Sequence, residues 1–344
     1  MSAFSTQHPA ISLWLKVCLI LVLTMILLGG ATRLTGSGLS MVTWHPTGML
    51  PPLNTEQWQQ EFELYQQYPE YQIVNRDMTL DGFKRIYWFE YSHRQLGRLI
   101  GLVFLLPFLY FLFRKMIPPG LSPRLITMFI LGGFQGLLGW YMVQSGLVNN
   151  PQVSQYRLTA HLLSAILIYG FILWTIFNLD YAQPYRRIAE SPVAVWRKLS
   201  LVLMTLILLT IVTGGFVAGL KAGKIFNTFP LMGGQLIPEG IGALSPWYLN
   251  PLENMVTVQF DHRWLAMTTG VLLFIWYLKG RAGFGDARLQ RSFKWIGMMV
   301  LIQLGLGIAT LLLHVPVWLG VLHQAGALLL FSAMLYNIHC LSRV

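Results

Sequence analysis

The chain has 344 residues, of which 55% are hydrophobic and only 11% charged, against about 25% charged in an average soluble domain. Its formal net charge is +11, but the basic residues gather in short connections between apolar runs, which reads as membrane topology rather than a nucleic-acid surface. The two cysteines, Cys18 and Cys340, lie inside apolar runs without CxxC or metal-ligand spacing. They read as small apolar side chains in helices and say little about redox compartment.

The fold class expected is an all-α integral membrane protein. In chain order, eight spans are expected at 11–30, 92–113, 124–145, 158–179, 198–219, 261–279, 293–314 and 317–340, near the roughly 20 residues that cross a bilayer as helix. No small-residue cleavage site and no long Arg- and Ser-rich presequence is evident. The connections after spans two, four and six carry Arg114, Lys115 and Arg124, then Arg186, Arg187, Arg197 and Lys198, then Arg281, Arg288, Arg291 and Lys294. Both termini are therefore expected on the cytoplasmic side of a bacterial inner membrane, with 31–91 and 220–260 outside.

The 31–91 segment carries local signals of its own. Asn54-Thr55-Glu56-Gln57 predicts a capping box opening a short amphipathic helix to about Tyr68. Asp81 to Tyr87 is expected to begin the helix of span two, with Tyr87, Trp88 and Tyr91 as an interfacial aromatic belt. Gly36-Ser37-Gly38 and Pro46, Pro51 and Pro52 mark irregular chain. The segment is expected to cover the outer mouth of whatever lies below.

An internal repeat organises the spans. Gly29-Gly30 matches Gly214-Gly215, His93-Arg94 matches His262-Arg263, Gly101 matches Gly270, Gln135 and Gly139 match Gln303 and Gly307, and His161 and Ala165 match His323 and Ala327; the offsets are 185, 169, 168 and 162. Each half holds an even number of spans, so the halves share one orientation, a parallel repeat about an axis near the membrane normal. Two four-helix bundles follow, 1–180 with the long outer segment and 181–344.

His93, His161, His262 and His323 all lie near the outward starts of even-numbered spans. Within each half the two can face one another across a bundle, the arrangement that a bis-imidazole haem site needs. Small residues share their faces: Gly97 and Gly101, Ser164 and Ala165, Ala266 and Gly270, Gly326 and Ala327. Zinc is the rival metal, but no carboxylate or thiolate accompanies either pair as a third ligand. His8, His45, His314 and His339 lack repeat partners; His314 alone offers an alternative register.

Arg94, Arg263 and Arg33 are candidates for pairing with haem propionates, or for snorkelling to lipid headgroups. Glu90 breaks the symmetry: its counterpart is Gln259. Three residues before His93, a carboxylate there can act as a general base or stabilise developing positive charge. It can equally hydrogen-bond a ligand imidazole or pair with Arg94.

These motifs together resemble the haem A synthase family over essentially the whole chain. The resemblance rests on Glu90-Tyr91-Ser92-His93-Arg94, on Trp44-His45-Pro46-Thr47-Gly48 with Pro51-Pro52, and on Asp261-His262-Arg263. It is to the mitochondrial and proteobacterial branch, because no cysteine lies in 31–91 or 220–260. The resemblance implies oxidation of the C8 methyl of haem o to a formyl group, by successive hydroxylations whose gem-diol loses water, giving haem a for terminal oxidases. It implies haem o as substrate on His93 and His161, with Glu90 assisting, and a haem b cofactor on His262 and His323. Implied partners are a haem o synthase and terminal oxidase assembly factors or subunits; a homo-oligomer remains open.

Two other readings stay beside this one. A di-haem cytochrome b-type electron carrier would hold both haems permanently. A transporter would use the repeat differently, but no span is broken near its middle by Gly and Pro together, apart from the shallow Pro107 in span two.

Overall fold

The computed structural model describes residues 8–43, 50–147, 151, 153–181 and 193–343. The expected outer-loop motif Trp44 to Gly48, with His45, and the basic pair Arg186 and Arg187 lie outside the described residues. Among the described residues the regular structure is helical, apart from a single isolated bridge between Met232 and Gln235.

The helices are α1 (Pro9–Leu34), α2 (Thr55–Gln66), α3 (Leu80–Phe113), α4 (Ser122–Gly146), α5 (Gln155–Asp180), α6 (Val193–Leu220), a single turn α7 (Asn250–Glu253), α8 (Met255–Gly283), α9 (Ala287–Leu312) and α10 (Val317–Arg343). Among the described residues, seven are long and apolar enough to cross a membrane: α1, α3, α4, α5, α6, α9 and α10. The remaining expected span, 261–279, coincides with α8, which has 29 residues but dilutes its apolar run with Asp261, His262, Arg263, Lys279 and Arg281. α3 runs for 34 residues straight through Pro107, so it is not a broken transporter helix.

The described residues form two compact units, Val17–Ile168 and the rest of the chain, Met1–Lys16 with Tyr169–Val344. The seam runs inside α1 and α5, and the lower ends of both belong to the second unit. There Lys16 pairs with Asp180 at 2.8 Å and Ser12 donates to the same carboxylate at 2.5 Å.

In the second unit α6 and α9 each pack on both α8 and α10, closing a ring of four. Glycines let α8 and α9 approach: a Cβ on Gly280 would stand 2.2 Å from the Phe293 ring, and one on Gly297 would stand 2.5 Å from Tyr277. A buried polar thread ties three helices, with Trp276 Nε1 donating to Asn337 Oδ1 (3.2 Å) and Asn337 Nδ2 to Ser292 Oγ (2.8 Å). His339 is buried among Trp174, Phe177, Tyr181 and Tyr336, far along α10 from His323.

In the first unit α3 packs on α2 and α4. The expected cap is present, with Asn54 Oδ1 accepting from Gln57 N at 2.9 Å; the returning Gln57 Oε1 accepts from Leu53 N at 2.7 Å, one residue before the Asn54 N–H that a capping box would use. Trp58, Phe62 and Tyr65 of α2 bury against Phe83 and Tyr87 of α3, joined by Leu39, Met41 and Val42. Tyr87 is fully buried in this core, which corrects its reading as part of an interfacial belt; of that trio only Trp88 is exposed. The physical reason is that α3 begins at Leu80, so Tyr87 lies on the face that α2 covers. Burial raises the Tyr65 phenol above its ordinary range, and the neighbouring Glu70 pushes the same way, so the hydroxyl stays a neutral donor to Glu70 Oε2.

Candidate functional site

Each of the four repeat-related histidines lies against a glycine of a neighbouring helix in its own unit. A Cβ on Gly29 of α1 would stand 3.1 Å from His93 Cε1, and one on Gly139 of α4 would stand 3.0 Å from His161 Cε1. In the second unit the distances are 3.1 Å from Gly214 of α6 to His262 and 2.9 Å from Gly307 of α9 to His323. Those spacings are tighter than ordinary van der Waals contact, so the glycines are what let the Cε1 edge of each ring approach a helix backbone. All four imidazoles remain part-exposed. His93 and His161 belong to the first unit, and His262 and His323 to the second.

The far side of the rings is held by residues that the sequence pattern marked only as repeat positions. Gln135 Nε2 lies 3.0 Å from His161 Nδ1 and donates to the His161 carbonyl at 2.8 Å; Gln303 does the same for His323 at 3.2 and 3.0 Å. Thr213 Oγ1 lies 2.9 Å from His262 Nδ1. His93 Nδ1 is buried with no partner among the described residues. Thr213 was not singled out from sequence; its place one residue before Gly214, where Leu28 precedes Gly29, is the signal that could have found it.

Glu90 and Arg94 form a buried ion pair, Nη2 to Oε1 at 2.5 Å, on one face of α3. The other carboxylate oxygen accepts from Ser40 Oγ (2.8 Å) and the Met41 amide (2.7 Å). Arg94 also donates to the carbonyls of Thr43 and Met41, both at 2.7 Å. The second unit repeats the clamp without the charge: Gln259 Nε2 donates to the Phe226 carbonyl at 3.0 Å, and Arg263 Nη2 donates to the Thr228 carbonyl. Thr43 and Thr228, like Met41 and Phe226, are related by the same offset of 185 as the glycine pairs. Each histidine-arginine pair therefore fastens the loop that follows its first helix. Arg263 keeps one buried nitrogen, Nη1, without a partner, whereas Arg94 is tied to Glu90 and two carbonyls. Arg33, in the last turn of α1, feels the charge of Glu70. His314 falls, exposed, in the turn between α9 and α10.

This donor set suits a flat bis-imidazole ligand. His161, His262 and His323 have glycine behind them and Nδ1 addressed from the side, which leaves Nε2 as the remaining ring nitrogen. Among the described residues no group of three or more His, Cys, Asp or Glu is placed to hold a metal ion by itself, which disfavours a bare zinc centre. The buried Arg263 Nη1 fits an acidic substituent on such a ligand. The two units differ in room: Cβ atoms on Gly101 and Gly136 of the first would meet nothing within 4 Å, while Gly270, the counterpart of Gly101, would meet Leu304 at 2.9 Å. Leu304 stands at the repeat position of Gly136.

The chain's similarities agree with this donor set. The family described as cytochrome oxidase assembly protein, COX15-CtaA, matches residues 12–335. A protein named "Heme A synthase" from Nitrosospira multiformis is 50% identical over 344 residues, covering 99% of this chain and 95% of its own. Others of that name, from Nitrosomonas eutropha and Parvibaculum lavamentivorans, are 47% and 45% identical, each covering 98% of this chain and 96% of their own.

Proposed function

The chain belongs to the COX15-CtaA family of cytochrome oxidase assembly proteins, and from that premise we propose how its two histidine pairs divide the work of a haem A synthase. The protein is a membrane oxidoreductase that converts haem o to haem a, oxidising the C8 methyl to a formyl group. In this reading His93 and His161 hold the substrate, haem o, and His262 and His323 hold a resident haem b. When bound, haem b supplies one-electron redox chemistry.

The observation that carries the division is a pair of departures from the repeat. Glu90 stands where the second unit has Gln259, and Gly136 stands where it has Leu304. Open space beside Gly101 and Gly136 suits a bulkier, exchangeable macrocycle, whereas Leu304 against Gly270 trims the second slot. Glu90 has both oxygens engaged, by Arg94 on one side and by Ser40 and Met41 on the other. It therefore acts as a fixed negative charge beside the first slot rather than as a freely swinging base, stabilising positive charge that develops as the methyl is oxidised. Arg94 is its counter-ion and the fastener of residues 41–43. Arg263 Nη1 is the donor for a haem b propionate, and Arg33 a candidate for a substrate propionate.

The haem sites lie near the outer face of a bacterial inner membrane, with both termini in the cytoplasm. Haem o comes from a haem o synthase and haem a passes to terminal oxidase assembly factors or subunits, with a second copy of the chain as a further partner. The test is expression with a haem o source, followed by chromatography of the extracted haems. Haem a together with haem b is expected; haem b alone marks a plain cytochrome, and no haem marks a transporter. Glu90→Ala should retain haem and stop conversion, and His262→Ala should lose haem b. Normal haem a from the first variant would remove Glu90 from the chemistry, and an unchanged low-spin spectrum from the second would refute the ligand assignment.

A further inference from the structure

The residue beside the first imidazole of each pair differs between the two units. Thr213 Oγ1 donates its only proton to the Thr210 carbonyl at 2.9 Å. The side it turns to His262 Nδ1, 2.9 Å away, is therefore a lone pair. That requires the proton on Nδ1 and leaves the Nε2 lone pair for iron. At the equivalent position the first unit has Leu28, which has no acceptor, and His93 Nδ1 is buried unpaired among the described residues.

The second histidine of each pair is faced by a glutamine Nε2 in both units. Ser164 Oγ donates to Gln135 Oε1 at 2.5 Å, which turns the carboxamide nitrogen, a donor, toward His161 Nδ1. Such a donor favours the tautomer with its proton on Nε2, the atom a metal needs bare. In the second unit Gly326 replaces Ser164. Gln303 Oε1 is buried without a partner, but Gln303 Nε2 still faces His323 Nδ1 at 3.2 Å and is held by the His323 carbonyl at 3.0 Å. A Cβ at 326 would stand 2.2 Å from that oxygen, so glycine is what leaves room for the carboxamide there.

We infer that Thr213, where the first unit has Leu28, makes the second histidine pair a retentive haem site and leaves the first an exchangeable one. The inference rests on the assignment of the two pairs to haem made above. An imidazole whose other nitrogen donates to a fixed acceptor is oriented and more basic, and losing such a partner typically costs about 10- to 100-fold in metal affinity. A resident cofactor needs that grip; a substrate site must release its product each turnover. Thr213 is a positioning residue, acting on iron only through the imidazole.

The experiment uses the purified full-length chain, expressed with a haem o source, and measures haem transfer to apomyoglobin and the midpoint potential of the retained haem. Thr213→Val, which keeps shape and removes the hydroxyl, is expected to speed haem b loss about tenfold or more and to shift its potential positive. Thr213→Ser, which restores the acceptor, is expected to behave as wild type and shows that the change is not one of packing. Leu28→Thr is expected to slow haem loss from the first site and to shift its potential negative. Unchanged rates and potentials in Thr213→Val, or in Leu28→Thr, overturn the inference. If His262→Ala loses haem b while Thr213→Val is silent, only this inference fails; if His262→Ala keeps its haem b, the assignment beneath it fails as well.

Discussion

At the residue scale, four glycines decide whether four histidines can be ligands at all. An alanine at Gly307 would place its Cβ 2.9 Å from His323 Cε1, so the ring must move off the helix. Gly307→Ala is expected to lose most of the haem b Soret absorbance, while Gly305→Ala, whose Cβ meets nothing within 4 Å, keeps it. The arginines behave differently from one another. Arg94 neutralises a buried carboxylate, and removing one partner of such a pair typically costs about 3–5 kcal/mol. Arg94→Gln should therefore lower thermal stability strongly and expose residues 39–43 to protease. Arg263 has no carboxylate partner in its clamp, so Arg263→Gln should fold and lose haem b faster, read as haem per chain after purification.

At the scale of elements, the repeat is kept where rings are held and abandoned one turn away. α4 and α9 share a Gln and a Gly on the histidine face, yet Gly136 in one is Leu304 in the other. Gly136→Leu is expected to abolish retention of haem o and production of haem a while leaving haem b in place, which chromatography of the extracted haems reads directly. The cap before α2 was legible because its signal is local: an acceptor at Asn54 and a returning side chain at Gln57. Tyr87 was misread for the opposite reason. Its aromatic character fits a bilayer interface equally well, and only the docking of Trp58 and Phe62 from α2 shows that it is core. α8 shows the limit of hydropathy, because the site residues Asp261 to Arg263 occupy the start of the very run that would announce a span.

At the scale of the molecule, the second unit is a closed four-helix ring threaded by buried polar groups. Asn337 joins Trp276 and Ser292 across α8, α9 and α10, and interhelical hydrogen bonds of this kind contribute about 0.6 kcal/mol each, up to about 1.7. Asn337→Leu should therefore lower stability in detergent by about 1–3 kcal/mol, since it also strands the Trp276 N–H, and leave the haem spectrum unchanged.

The sequence by itself determined the helical membrane class, the internal repeat, the four histidines and the asymmetry at Glu90, because apolar run length, chain offsets and residue identity are one-dimensional properties. Tertiary structure decided that the glycines of α1, α4, α6 and α9 back the imidazoles, that Glu90 is spent on Arg94 and the 40–41 backbone, and that Thr213 holds an imidazole which Leu28 cannot. Those are contacts between helices dozens of residues apart, where a hydroxyl or a missing Cβ matters only for what faces it.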